Sequence, residues 1–413
     1  MTPAGSYCAT VYTENGHNLG HVPRQRPPVM RTDYDVVIVG GGFAGLVAAS
    51  TAASRGLSVA VLEAKASPGE RVHTTGILVK EAAEEFDIPA HLTRKIRGVR
   101  LYAPSGNSTD ISAPGYYFLS TDTGGLLEWL ALRASFAGAH MLTATRFTGA
   151  RIHSNRVIIG PMGLTARFVI GADGARSRVA RAFGLGVNRH FLVGVEAEIA
   201  DDGLQRPELL HCFLDSRIAP GYLAWGVPGV GVWQIGLAVR HGRIPDITSF
   251  MLKAVSILGF ENPTIVERRA GIIPCGGLVR PFAGRHVLLV GDAAGLVSPL
   301  TGGGIHCAFH YGRRAALAVC DYLCDRVLHP GAAMARQYPS FFAKRLARIA
   351  MNAEPPNAVF NAVLDNGTFQ ALAHRIYFHR RGARWNPRAS LRRRVRRSVC
   401  ARSSRDPILR VSA

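Results

Sequence analysis

Apolar runs separated by Gly-rich turns dominate the first ordered part of the chain. Asp35–Val39 (DVVIV) and Ser58–Leu62 (SVAVL) have the nearly continuous apolar character of parallel strands that are buried on both faces. The Ala-rich segment Phe43–Arg55 between them predicts a helix that ends near Gly56. Strand, helix and strand within about 30 residues form a βαβ unit, so we predict a parallel α/β sheet here.

Later segments extend this sheet and add a second one. Phe168–Ala172 (FVIGA) and His286–Val290 (HVLLV) predict two more buried strands. Residues 124–137 predict an amphipathic helix, and residues 304–329 and 332–350 also have helical patterns. Between about 187 and 275 the polarity alternates, as in Trp233–Val239 (WQIGLAV), which predicts an antiparallel sheet inserted into the α/β frame.

The first chemically informative motif is the GxGxxG sequence that follows the first strand and opens the first helix. Gly40 permits the tight turn, Gly42 lets the backbone approach a pyrophosphate, and Gly45 allows close packing of helix and strand. The helix N-terminus at Phe43 and Ala44 offers unpaired N–H groups to the phosphates. Glu63 ends the second strand near the spacing at which a carboxylate binds the adenosine ribose. We therefore predict a dinucleotide site.

Two further motifs follow the later strands. One is the Asp-Gly sequence at Asp173, within Gly171–Arg181. The other begins with Gly291 and Asp292 and continues to the run Gly302, Gly303, Gly304 and Ile305. An Asp at a strand end can accept hydrogen bonds from sugar-alcohol hydroxyls, and successive glycines let backbone N–H groups approach a ring or a phosphate. Each motif alone is also compatible with a simple turn.

Taken in order, the three motifs resemble those of the FAD-dependent oxidoreductases of the aromatic-hydroxylase structural class, over roughly residues 34–350. Within that class the chain is most similar to the geranylgeranyl reductase family. Its third motif reads GDAAGLVSPLTGGGI, like the GDAAG…P…GGGI of the family. Tyr222, Trp225 and Pro228 resemble the Y-x-W-x-F-P motif of the substrate cavity, with Tyr222 one residue further away and Val227 in place of Phe.

The resemblance implies specific contacts and reveals two departures. It implies FAD contacts at Glu63, Gly76, Asp292, Gly304 and Ile305. The family often has a Cys in a Cys-Gly segment that faces the flavin, whereas the matching stretch here, 71–76, contains no Cys. An Arg that commonly opens the helix after the third strand matches Thr123. Because the flavin carries the chemistry, we name no catalytic acid or base. Tyr222 and Trp225 are either substrate-cavity residues or core aromatics.

These motifs define the predicted organisation. We expect an α/β fold with a Rossmann-like FAD-binding domain, formed by 33–186 and 276–330, and an inserted antiparallel-sheet substrate domain at 187–275. A disordered leader (1–32), a helical C-terminal region (331–378) and an Arg-rich tail (379–413) complete the chain.

Charge and cysteine content add information about partners and compartment. The chain carries 49 basic and 28 acidic residues, and residues 374–413 contain 13 Arg and a single acidic residue, Asp406. Such a tail is either a solvated appendage or an attachment to an anionic membrane surface; nucleic acid is a secondary expectation because no nucleic-acid-binding module is recognisable. The seven cysteines form no CxxC, so we expect reduced thiols, no metal site and a cytoplasmic protein.

Three functions remain open at this point. The first is a flavin reductase that saturates C=C bonds of an isoprenoid or another small hydrophobic substrate. The second is an NAD(P)H-dependent monooxygenase that hydroxylates a small organic substrate, and the third is a non-catalytic flavoprotein with a basic tail. The sequence contains one GxGxxG motif, so the reductant is either a transiently docked NAD(P)H or a protein electron donor of unknown identity.

Overall fold

The computed structural model describes residues 32–160, 162–324, 328–364, 366, 373–374 and 376–378. The strands are β1 Asp33–Val39, β2 Val59–Leu62, β3 Ile77–Val79, β4 Thr93–Ile96, β5 Gly98–Tyr102, β6 Ser108–Ile111, β7 Phe118–Thr121, β8 His140–Leu142, β9 Gly149–His153, β10 Arg156–Gly160, β11 Leu164–Gly171, β12 Phe191–Ala200, β13 Leu209–Phe213, β14 Ala224–Pro228, β15 Val232–Arg240, β16 Ile265–Pro274, β17 Ala283–Gly284 and β18 Val287–Leu289. The α-helices are α1 Phe43–Ala53, α2 Lys80–Phe86, α3 Thr123–Phe136, α4 Arg178–Ala182, α5 Ile247–Leu258, α6 Ile305–Leu323, α7 Pro330–Ala335, α8 Phe342–Asn352 and α9 Asn357–Leu364. Except for Thr32, the leader and the Arg-rich tail lie outside the described residues.

The first sheet has the predicted parallel core. Its strand order is β17-β18-β11-β1-β2-β8, in which β18, β11, β1, β2 and β8 are parallel to one another. The edge strand β17 is antiparallel to β18, and β10 and β9 are attached to β11 as an antiparallel extension. The middle of β1 is fully buried because α1 and α6 cover the sheet. The predicted α/β fold with a Rossmann-like domain is thus confirmed.

Two helices cross at very short range beside this sheet. A Cβ atom built at Gly312 of α6 would lie 2.6 Å from the backbone oxygen of Ala44 in α1. Ala44, Ala48 and Ala52 of α1 are all buried, and their small side chains permit this approach. The crossing holds the N-terminal end of α1 in a fixed position.

The second sheet has the order β16-β12-β15-β14-β13-β5-β6 and is antiparallel except for the parallel pair β13 and β5. The predicted strand Trp233–Val239 lies within β15. However, β5 and β6 come from residues that we assigned to the FAD-binding domain, so that part of the chain contributes two strands to the second sheet. Both strands are short and carry charged residues, including Arg100 and Asp110, and therefore lack the pattern that would mark them as part of this sheet.

The two faces of the second sheet differ in polarity. One face packs its apolar side chains against α5, with Trp233, Phe213 and Phe250 fully buried. The other face points toward the FAD-binding domain and carries Glu196 and Glu198. A small third sheet, β3-β7-β4, lies in the FAD-binding part. Among the described residues, no helix combines the length and apolar character needed to cross a bilayer.

We expect the α5 contact to contribute strongly to stability. Phe250 is fully buried under the second sheet, whereas Leu252 of the same helix is 72% exposed. Phe250→Ala should lower the free energy of unfolding by about 3–5 kcal/mol, the usual cost of removing a buried aromatic ring. Leu252→Ala should change it by less than about 0.5 kcal/mol. Urea unfolding measures both, and similar values for the two variants would contradict this packing.

Candidate flavin site

The three Gly-bearing motifs lie side by side at one edge of the first sheet. The first follows β1, the second follows β11 and the third follows β18, and these strands are adjacent and parallel. Their carboxyl ends therefore open on the same side of the sheet, where α/β proteins bind their ligands. Val290 donates a backbone hydrogen bond to Gly171, which ties the third motif to the second.

The loop 40–45 is closed on one side and open on the other. A Cβ at Gly40 would lie 2.3 Å from the carbonyl oxygen of Ala172, and one at Gly45 would lie 1.9 Å from that of Gly40. Gly40 also has a φ of +106°, which L-residues rarely adopt. In contrast, apart from its chain neighbours, no atom of the described residues lies within 4 Å of a Cβ built at Gly42. Gly42 thus borders free space at the N-terminus of α1, and a pyrophosphate fits there.

Glu63 lies directly against this loop. Its carboxylate accepts hydrogen bonds from the backbone N–H of Gly41 at 2.6 Å and of Lys65 at 2.8 Å. The side chain is 7% exposed, so its position is fixed by the protein itself. The structure brings Glu63 to the edge of the dinucleotide motif, and its contact with the ribose stays a prediction.

Asp173 has a local structural role. Its carboxylate accepts hydrogen bonds from Ser177 Oγ at 2.6 Å and from the backbone N–H groups of Arg178 at 2.6 Å and Val179 at 3.0 Å. These bonds secure the beginning of α4. Because three donors already engage this carboxylate, its predicted contact with FAD has no support from the geometry and stays a prediction.

The carboxylate of Asp292, unlike that of Asp173, is not engaged by the described residues around it. None of the described residues donates a hydrogen bond to its carboxylate, and burial raises the pKa of Asp292 to about 6. A Cβ at Gly304, the N-cap of α6, would lie 3.3 Å from Asp292 Oδ1. Gly302 and Gly303 precede this cap, and Ile305 begins the helix. An unpaired carboxylate beside a helix N-terminus suits a ligand that offers both hydroxyl donors and electronegative acceptors.

The predicted substrate residues occupy different positions. Tyr222 is buried, and its hydroxyl oxygen would lie 2.6 Å from a Cβ at Gly302, so it touches the third motif. Trp225 lies on the polar face of the second sheet, where its indole N–H donates to Glu196 at 3.0 Å. Pro228 is paired with Trp233 and shares the opposite, α5-facing side of β14 with Gly226. A role of these residues in substrate binding stays a prediction.

Gly76 lies beside the N-terminus of α3. It has a φ of +79°, and a Cβ there would lie 1.9 Å from Thr123 Oγ1. Thr123 is buried, and its hydroxyl oxygen lies 3.1 Å from that of Thr121. Thus the position that matches an Arg in many family members holds a neutral, internally bonded side chain.

Sequence reasoning missed several residues near the site. Thr75 and Glu196 are joined by a hydrogen bond across 121 positions of sequence. Arg348 of α8 is 3% exposed, lies 5.5 Å from the ring centroid of Tyr222 and donates to the carbonyl of Gly221. Burial lowers the pKa of Arg348. Nothing in the linear sequence separates Glu196 and Arg348 from ordinary surface charges, because only the tertiary contacts bury them.

Known proteins resemble this chain in sequence. A family model described as an NAD(P)-binding Rossmann-like domain matches residues 38–102. Geranylgeranyl diphosphate reductase of Rhodobacter capsulatus is 32% identical over 70% of this chain and 76% of its own length. Digeranylgeranylglycerophospholipid reductase 2 of Methanothermobacter thermautotrophicus is 34% identical over 69% of this chain and 78% of its own. The chain belongs to the geranylgeranyl reductase family.

Solved structures agree on the fold. A geranylgeranyl bacteriochlorophyll reductase-like protein of Thermoplasma acidophilum superposes with a TM-score of 0.72 at 22% identity, covering 84% of this chain and 96% of the other. The myxobacterial chondrochloren halogenase superposes with a TM-score of 0.61 at 18% identity, covering 78% and 83%. The predicted family membership is confirmed, and this member of the geranylgeranyl reductase family is an FAD-dependent oxidoreductase.

Gly42 provides a direct test of the pyrophosphate position. Gly42→Val should leave the fold intact, since the residue has extended backbone angles and open space beside it, but should abolish FAD binding by steric overlap. Gly45→Val is the matched control, because its side chain would collide with the loop itself and prevent folding. Flavin absorbance per protein and the melting temperature distinguish the two. A folded Gly42→Val protein with full flavin content would refute the assignment.

Asp292 should make FAD binding depend on pH. Only the ionised carboxylate is a strong acceptor for ligand hydroxyls, so FAD affinity should rise between about pH 5 and 7 as Asp292 ionises. Stability of the ligand-free protein should change in the opposite sense: the raised pKa stabilises the fold below pH 3.8, and this contribution is lost as the pH rises through about 6.

Two variants at position 292 isolate this effect. Asp292→Ala should weaken FAD binding about tenfold to a hundredfold at pH 7, since hydrogen bonds to a charged group contribute about 1.5–3 kcal/mol. Asp292→Asn should remove the pH dependence of binding. Fluorescence titration of the ligand-free protein with FAD measures both, and an unchanged profile in Asp292→Asn would exclude Asp292 as the titrating group.

Proposed function

We propose that this protein uses reduced FAD to saturate C=C bonds of an isoprenoid or a similar hydrophobic substrate. Family membership and the names of the two reductases described above support this proposal. The observation that carries it is the contact of Tyr222 with Gly302. Tyr222 lies two residues before β14, so this contact places the start of that strand of the second sheet beside the third flavin motif. A substrate on the polar face of that sheet would therefore lie next to the flavin.

The residues at the site fit FAD and divide its parts among them. Gly42 and the N-terminus of α1 would hold the pyrophosphate, and Glu63 would hold the ribose. Asp292 would accept hydrogen bonds from the polyol chain, while Gly76 and the Gly302–Gly304 run would border the ring. When bound and reduced, the flavin supplies a hydrogen with its electron pair to the substrate. The second sheet positions the substrate and excludes water.

The reductant is either NAD(P)H or a protein electron donor. The NAD(P)-binding family model covers residues 38–102, which include the GxGxxG motif assigned here to FAD. A nicotinamide cofactor would therefore bind only transiently against the flavin. Stopped-flow reduction with NADH and NADPH distinguishes a direct nicotinamide reaction from dependence on a protein donor.

Anaerobic turnover tests the reaction class. The flavin is reduced without O2 and mixed with geranylgeranyl diphosphate, and the product is analysed by mass spectrometry. The proposal expects flavin reoxidation and a product that gains two hydrogen atoms for each saturated bond. A hydroxylated product formed only with O2 would establish the monooxygenase alternative. Turnover of neither kind, with a fully reducible flavin, would favour the non-catalytic flavoprotein.

We also propose that the protein acts at the surface of an anionic membrane. The observation in favour is the outer face of α8, where Phe342, Leu346 and Ile349 are 68%, 54% and 67% exposed at helical spacing. The helix carries Lys344 and Arg345 and no acidic residue, a composition typical of helices that lie in the membrane interface. On the inner side of α8, Arg348 lies against Tyr222, so the helix itself lies between the exposed apolar residues and the proposed substrate site.

Vesicle sedimentation tests the membrane proposal. The full-length protein should pellet with phosphatidylglycerol vesicles and less so at high salt, since each basic residue near such a surface contributes about 1 kcal/mol. Leu346→Glu should reduce pelleting, whereas Leu252→Glu, an equally charged change at another exposed Leu, should not. Truncation after Phe378 tests the tail separately. Equal pelleting of all variants, or none by the wild type, would contradict the proposal.

A further inference from the structure

A buried carboxyl group lies on the polar face of the second sheet, behind the loop that precedes β3. Glu196 is 5% exposed. Its Oε2 atom accepts hydrogen bonds from Thr75 Oγ1 at 2.5 Å and from Trp225 Nε1 at 3.0 Å. Its Oε1 atom is buried without a hydrogen-bond partner among the described residues.

The surrounding charges favour a proton on Glu196. Arg269 is the cation of the cluster, and it is shared among three carboxylates: its guanidinium lies 2.8 Å from Glu198, 2.7 Å from Glu267 and 3.8 Å from Glu196. Burial raises the pKa of Glu196, and the charge of Glu198 raises it further, against the opposing effects of Thr75, Trp225 and Arg269. The titratable group on the facing loop is His73, which bonds a backbone carbonyl of β16.

Thr75 connects this carboxyl group to the flavin site. It immediately precedes Gly76, the residue that the family resemblance places against the flavin. Thr75 is partly exposed, whereas Glu196 is buried. Of the two residues, Thr75 is therefore the one that a bound substrate would meet first. The hydroxyl is both a donor and an acceptor, so it can pass a proton from one side to the other.

We propose that Glu196 and Thr75 form a proton relay that supplies the proton consumed in C=C reduction. The inference rests on the proposed function. Saturation of a C=C bond needs one hydrogen with its electron pair, which reduced flavin supplies, and one proton for the other carbon. When Glu196 carries its proton on Oε2, the hydrogen bond between the two side chains runs from Glu196 to Thr75, which frees the Thr75 proton for the substrate. Thr75 Oγ1 then gives its proton to that carbon as the O–H bond of Glu196 breaks and its proton moves to Thr75. Glu196 is left as a carboxylate, held by Trp225, and regains a proton from solvent.

Single-turnover kinetics test the relay. Glu196→Gln keeps the size and the acceptor oxygen but has no proton to release, and Thr75→Val keeps the shape but lacks the hydroxyl. Both should slow oxidation of the prereduced flavin by an isoprenoid substrate about 10²–10⁴-fold, the usual contribution of a positioned acid. Thr75→Ser should restore the rate to within a few-fold. Glu267→Gln, which removes the charge of a different partner of Arg269, should react at the wild-type rate.

A second measurement uses ligand-free protein and does not depend on turnover. Trp225 donates directly to Glu196, so its fluorescence should change as Glu196 titrates. We expect a transition above the pKa of about 4.3 of an ordinary Glu, and its loss in both Glu196→Gln and Trp225→Phe. FAD affinity should be unchanged in Glu196→Gln.

The outcomes separate the relay from the proposed function. If the wild type reduces no alkene, the proposed function fails, and the relay fails with it. If the wild type is active but Glu196→Gln reacts at the same rate, the relay alone is wrong. The relay is also overturned if Thr75→Val oxidises the flavin as fast as Thr75→Ser, or if the fluorescence transition lies at the pKa of an ordinary Glu.

Discussion

The packing of backbone against backbone around the loop 40–45 is the constraint on which the rest of this structure depends. Gly40 meets the chain leaving β11, Gly45 meets Gly40, and Gly312 of α6 meets the first turn of α1. No side chain fits at these contacts. They fix where α1 begins, and they bring the exits of β1, β11 and β18 around one opening. The same glycines that allow the close packing leave Gly42 free to face a ligand.

The parallel core and the flavin motifs were predictable because both are local properties of the sequence. A strand buried on both faces has a continuous apolar run, and each motif lies within a few residues of its strand. The relay residues were not predictable, since Thr75 and Glu196 meet across 121 positions. The membership of β5 and β6 in the second sheet was missed for a similar reason. The pairing of β5 with β13, and of β6 with β5, compensates for a weak pattern that alone does not indicate membership in any sheet.

The second sheet combines two opposing requirements. Its α5 side is a dry core of aromatic and aliphatic residues, which stabilises the domain. Its other side buries Glu196, Glu198 and Arg269, which is costly unless the charges are paired or neutralised. The apolar contacts of the α5 side contribute free energy of folding that offsets the cost of burying these charges on the other side. Charged groups can then be held at fixed positions next to a reacting centre.

The pairing of strands that lie far apart in the sequence has a consequence for how the protein is made. β5 leaves the ribosome long before β13, its parallel partner more than 100 residues later in the chain. Likewise, β11 cannot pair with β18, and α1 cannot pack against α6, until those later elements have been synthesised. The first sheet can therefore not be completed until β18 and α6 have emerged, and its apolar strands stay uncovered until then. Contacts of such long sequence separation form slowly, so the exposed apolar strands of the nascent chain are prone to aggregate unless a chaperone covers them.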